Sequence, residues 1–201
     1  EMQRSLVGSE MCIRDRAYTS RIAQPFTDAL SLYAIDLIAN NLVDVYNGTA
    51  GKDGWEKITL ASTIGGMVIN TAGVTLAHGM EHPASGLKNI VHGQGLAALT
   101  PVIIEVSYKE NREKFSKIAR IMGGMTAEDC ATKIRTLLRK LDLDCTLSDL
   151  GIKEEDIPWM AENCMKVSAA GVMNNPVVFS KEEIAEIYSC LLYTSDAADE
   201  L

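Results

Sequence analysis

Apolar residues recur along this chain at helical spacing. Between residues 25 and 45 they fall at Leu30, Leu32, Ile35, Leu37, Ile38 and Leu42, the i, i+3, i+4 pattern of one buried stripe. Pro25 suits the first turn of such a helix, Asn47-Gly48 ends it, and 48–54 reads as a loop. From residue 55 to about 79 the sequence is rich in Ala, Gly, Ile, Val and Met with few charges, which predicts a long helix buried on nearly all sides. Pro83 stops it, because proline lacks the amide that the next turn would use and biases its predecessor away from helix.

Further helices are expected over 94–109, 111–122 and 126–141, the last opened by the cap signal Thr126-x-Glu128-Asp129. Gly123-Gly124 separates the last two. Residues 147–151 and 154–167 read as two short helices, the second with Glu154, Glu155 and Asp156 at its start. Ser180-Lys181-Glu182-Glu183 is a capping box for a final helix. No stretch alternates as a strand does and no segment repeats, so the chain reads as an all-α domain of about seven or eight helices. Met67, Met80, Met122 and Met125 read as core filler, and Arg135, Arg139 and Lys140 as a solvated helix face.

Two stretches are related in an unusual way. Met11-Cys12-Ile13-Arg14-Asp15-Arg16 can be encoded by ATG TGT ATA AGA GAC AG. Cys190-Leu191-Leu192-Tyr193-Thr194-Ser195 can be encoded by TGT CTC TTA TAC ACA TCT, whose reverse complement is AGA TGT GTA TAA GAG ACA. The two are one DNA sequence read on opposite strands, and the repeat resembles the transposase adapter used in sequencing libraries. The expected organisation is therefore an adapter-derived segment over 1–16, a helical domain over 17–189, and a second adapter-derived segment over 190–201.

Composition narrows the class further. The length of 201 residues fits one ordinary soluble domain, and the net charge of −8 argues against a general affinity for nucleic acid or an anionic membrane surface. The apolar runs are broken by Asp, Asn or Gly well short of the roughly 20 residues that a bilayer crossing needs. Outside the two related stretches stand Cys130, Cys145 and Cys164, odd in number and without C-x-x-C spacing. Such a set suggests reduced thiols in a cytoplasmic protein.

Candidate chemistry is confined to one segment. The three histidines of the chain, His78, His82 and His92, lie within 15 residues of one another. Neutral imidazole is the commonest divalent-metal ligand, so one ligand from the end of the buried helix and another from the start of the next would converge across a loop. His78, Glu81 and His82 also spell H-x-x-E-H, the inverted zinc-protease motif with Glu81 as base. That motif needs a helix running past both histidines, and Pro83 directly after His82 counts against it. A non-catalytic helical domain with incidental histidines is the third reading.

The wider pattern Asn70-Thr71-Ala72-Gly73, His78-Gly79-Met80-x-His82-Pro83, Gly86 and His92-Gly93 resembles the C-terminal domain of the iron-containing (group III) alcohol dehydrogenases. Gln24-Pro25-Phe26-Thr27-Asp28-Ala29-Leu30, Thr146-Leu147-Ser148-Asp149-Leu150-Gly151, Asn174-Asn175-Pro176 and Glu186-Ile187-Tyr188 extend the likeness over nearly the whole of 17–189. The resemblance implies a helical bundle of the dehydroquinate synthase-like kind. It further implies interconversion of primary alcohols and aldehydes, a divalent metal (Fe2+, with Zn2+ as the alternative), NAD or NADP as hydride carrier, and a homodimer.

In that family one aspartate and three histidines hold the metal, and His78 and His92 match the last two histidines. His82 matches the histidine beside nicotinamide and substrate, a catalytic and cofactor-contacting residue thought to relay a proton. The family's aspartate and first histidine precede the Ala-Tyr that matches Ala17-Tyr18, where the adapter-like stretch stands. The resemblance thus leaves two ligands and the N-terminal nucleotide-binding domain missing, and the chain alone is expected to be inactive. Glu81 stands where the family commonly has a small residue and Val91 where it often has proline. Both departures are expected to tune the pocket without touching the ligands.

Overall fold

The computed structural model describes residues 17–193. Helix α1 (Pro25–Tyr46) begins where the sequence predicts, with Pro25 in its first turn and the Gln24 amide donating to Thr27 Oγ1 at 2.8 Å. Its buried stripe includes Ala34, Ile35, Leu37, Ile38 and Leu42. It packs along α2 (Lys52–Ala72).

The long helix expected over 55–79 is two helices. Helix α2 ends at Gly73, and α3 (Leu76–Lys88) leaves at 103° to it. Gly73 has φ +65°, in the left-handed region, and a Cβ there would stand 2.8 Å from Asn174 Nδ2. Ser20 Oγ donates to the Ala72 carbonyl at 2.7 Å, satisfying one of the acceptors exposed where α2 stops. Nor is α2 buried on nearly all sides: Trp55, Leu60 and Met67 are exposed, while Ile58, Ala61, Ile64 and Val68 face α1 and the core.

Pro83 does not stop a helix; it lies inside α3. The lost amide costs one intrahelical bond, but Met80 and Ala84 are fully buried on the same helix, and Tyr188 Oη donates to the Met80 carbonyl at 2.5 Å. Tertiary packing overrides the local preference. Asn89, at φ 53°, ends α3 instead.

The all-round buried helix is α4 (His92–Ser107), whose residues from Gly95 to Ile104 are all buried. It bridges two apolar clusters. Leu96, Ala97 and Ile104 join the cluster formed with α1, α2, α5 (Arg112–Ile121) and α6 (Asp129–Lys140). Ala98, Leu99, Val102 and Ile103 join the one formed with α3, α7 (Ile157–Val167) and α9 (Lys181–Tyr193). The short α8 (Ala169–Asn174) lies against α3.

Smaller differences from expectation have local causes. Residues 147–151 form turns, not a helix, because Asp149 accepts the Thr146 amide and hydroxyl, each at 2.8 Å, and closes the chain on itself. Helix α6 starts at Asp129, whose carboxylate accepts the Met125 and Thr126 amides at 2.8 and 2.9 Å. Arg135 is not on a solvated face: it is 4 % exposed and pairs with Glu105 of α4 at 2.5 Å. Met80 is core filler, whereas Met67 and Met125 are exposed. The Ser180 capping box forms in both directions, at 2.7 and 3.2 Å, and α9 continues to Tyr193 with Leu191 and Leu192 buried. No strand occurs among the described residues, and no single helix there is long and apolar enough to cross a membrane.

Candidate metal centre

The sharp break at Gly73 decides where the histidines go. It swings α3 across the start of α4, so His78 and His82, one turn apart on α3, face His92, the first residue of α4. Ring centres of His78 and His92 lie 5.2 Å apart, those of His78 and His82 5.9 Å, and those of His82 and His92 6.0 Å. The structure thus brings together all three residues singled out in the sequence. Their settings differ: His78 is buried, His92 half-buried and His82 exposed, with its Nδ1 3.3 Å from Ser168 Oγ at the α7–α8 junction.

Two imidazoles that share a tetrahedral ion through nitrogens at about 2.1 Å have ring centres about 5 Å apart. The His78–His92 pair meets that requirement most closely, and neutral nitrogen donors suit Fe2+ or Zn2+. Among the described residues no group of three or more His, Cys, Asp or Glu donors is arranged to hold a metal ion. The residues present therefore fit a metal as a partial donor set.

Sequence reasoning missed the second layer. Glu81 is fully buried, its Oε2 lies 2.5 Å from His92 Nδ1, and its Oε1 accepts a hydrogen bond from Ser85 Oγ. The expectation that Glu81 stands clear of His78 and His92 does not hold, since its carboxylate meets the His92 ring. The H-x-x-E-H reading fares differently from its stated objection. The helix does run past His82, yet the carboxylate that would act as base is turned away from water into a closed hydrogen-bonded pair.

Comparison with known proteins decides the family. The family model described as Fe-containing alcohol dehydrogenase family, C-terminal, matches residues 16–192. The chain belongs to that family. Among its iron-containing alcohol dehydrogenase relatives, 1,3-propanediol dehydrogenase of Klebsiella pneumoniae is 36 % identical over 180 residues, covering 86 % of this chain and 46 % of the relative. Lactaldehyde reductase of Escherichia coli K12 is 33 % identical over 179 residues, covering 85 % and 46 %. A crystal structure of 1,3-propanediol oxidoreductase superposes with a TM-score of 0.83 at 34 % identity, covering 91 % of this chain and 50 % of that one. The resemblance and the all-helical fold expected from it both hold, and the chain spans about half the length of these relatives.

Proposed function

We propose that this chain is the metal-binding half of an oxidoreductase acting on small alcohols and aldehydes, with His78 and His92 as metal ligands and His82 as the catalytic residue on the nicotinamide and substrate side. The observation that carries the reading is the convergence of all three histidines at the α3–α4 turn, with the spacing of His78 and His92 suited to one ion. When bound, the metal, Fe2+ or Zn2+, supplies Lewis-acid polarisation of the substrate oxygen, and NAD or NADP exchanges the hydride. The chain's own residues do the rest. His78 is buried on α3, which leaves its ring little freedom to swing. His82, exposed and with Nδ1 3.3 Å from Ser168 Oγ, is a ring within reach of solvent that can hold or pass a proton.

The net charge of −8 supports a protein without nucleic-acid or membrane partners, and the unpatterned thiols support a cytoplasmic setting. A homodimer belongs to the same reading. Zinc or anaerobic iron titrations of the chain should give weak binding near one equivalent, abolished by His78→Ala and by His92→Ala and kept by His82→Ala. Alcohol oxidation by this chain alone, with NAD or NADP supplied, is expected to be absent, and measurable turnover would contradict the assignment of the remaining machinery to sequence outside it.

A further inference from the structure

A fully buried carboxylate loses its hydration and persists only with partners that replace it. Both partners of Glu81 lead to His92. Oε2 faces His92 Nδ1 at 2.5 Å. Oε1 accepts from Ser85 Oγ, and that hydroxyl lies 3.1 Å from the carbonyl of Ile90, two residues before His92. The opposite helix is cut to fit: a Cβ on Gly95 of α4 would stand 2.9 Å from Glu81 Cγ and 3.0 Å from its Oε1. Space for the carboxylate is therefore reserved by α3, by the 89–91 loop and by α4 at once.

A carboxyl oxygen set against Nδ1 at this distance selects the ring tautomer that carries its proton on Nδ1 and presents the lone pair on Nε2. Building on the metal reading above, we infer that Glu81 is a positioning residue, which fixes the tautomer and ring plane of His92 so that Nε2 is the nitrogen offered to a divalent cation beside His78. Ser85, one turn on along α3, donates its single hydroxyl proton to Oε1 and steadies the carboxylate from its own helix. Ligating histidines anchored in this way lose about 10–100-fold in metal affinity when the anchor is removed. The glutamate acts through His92 and needs no contact with substrate.

The test begins without metal. In the 201-residue chain labelled with 15N-histidine, long-range 1H–15N correlations report which ring nitrogen carries the proton. His92 should be the Nδ1–H form in the wild type. Glu81→Ala should move it to the Nε2–H form that free imidazole favours, and Glu81→Gln, which keeps an acceptor oxygen of equal reach, should retain Nδ1–H. Affinity for Zn2+ should fall about tenfold or more in Glu81→Ala and recover largely in Glu81→Gln, with Ser85→Ala giving a smaller loss.

Wild-type His92 in the Nε2–H form overturns the inference, and that spectrum decides even if Glu81→Ala does not fold. So does a Zn2+ affinity that Glu81→Ala leaves unchanged while His78→Ala abolishes it. Zn2+ binding that is absent, or indifferent to His78→Ala, contradicts the metal reading instead, and the His92 tautomer still decides what Glu81 does.

Discussion

Replacing Gly95 with alanine would normally stabilise a helix, because glycine in a helix interior costs about 0.5–1 kcal/mol relative to alanine. Here the sign should reverse. The new methyl would lie 2.9 Å from Glu81 Cγ, 3.0 Å from Oε1 and 3.4 Å from Cδ, and the glutamate cannot withdraw without giving up His92 and Ser85. Overpacking of this kind costs about 1–3 kcal/mol. The net expectation is a loss of about 0.5–2 kcal/mol, read as a lower urea midpoint at unchanged m-value. In a Glu81→Ala background the methyl enters vacated space, and the same substitution should become neutral or stabilising by up to about 1 kcal/mol. The four unfolding curves form a double-mutant cycle whose coupling comes from this one contact. A midpoint raised by Gly95→Ala in the presence of Glu81 would refute the packing described between α3 and α4.

Three further outcomes follow from the same physics. Gly73→Ala forces an alanine into φ +65° and against Asn174, and should cost about 1–3 kcal/mol by urea unfolding; a neutral result would mean that α2 and α3 do not break there. The Lys88 ammonium, 2.8 Å from Asp156, holds that carboxyl below the usual carboxylate range, so the pair adds stability above about pH 4 that fades on acidification. The stability difference between wild type and Asp156→Asn should therefore shrink from about pH 6 to about pH 3, and a difference that stays constant would show that the pair does not titrate as described. Burial pushes the Cys164 thiol up to about 12 and, aided by Asp149 and Asp144, Cys145 up to about 11. Alkylation of both should be slow in the folded chain at about pH 8 and rapid in urea, and fast modification of folded Cys164 would contradict its burial.

Much of this architecture was legible because its signals were local. Pro25 and Asn47-Gly48 bracket α1 within a residue or two, and the Ser180 box opens α9. The failures came where tertiary context decides. Gly65, Gly66 and Gly73 look alike in an apolar run, and what sets Gly73 apart, its positive φ and the approach of Asn174 about a hundred residues away, is tertiary. Pro83 reads as a stop, but the packing around Met80 and Tyr188 carries α3 through it. The histidine cluster could be read from the close spacing of His78, His82 and His92 along the chain. Glu81 could not, since its role depends on a residue 11 positions on, in another helix, and on the missing side chain of Gly95.

The proposed metal site at the α3–α4 turn gives its three histidines unequal roles. It is tested most directly by adding Zn2+ to the 15N-histidine-labelled chain and following all three rings. The ring nitrogens of His78 and His92 should shift together with one equivalent of metal, while His82 responds least. Rings that ignore the metal, or a His82 that responds as strongly as the other two, would contradict it.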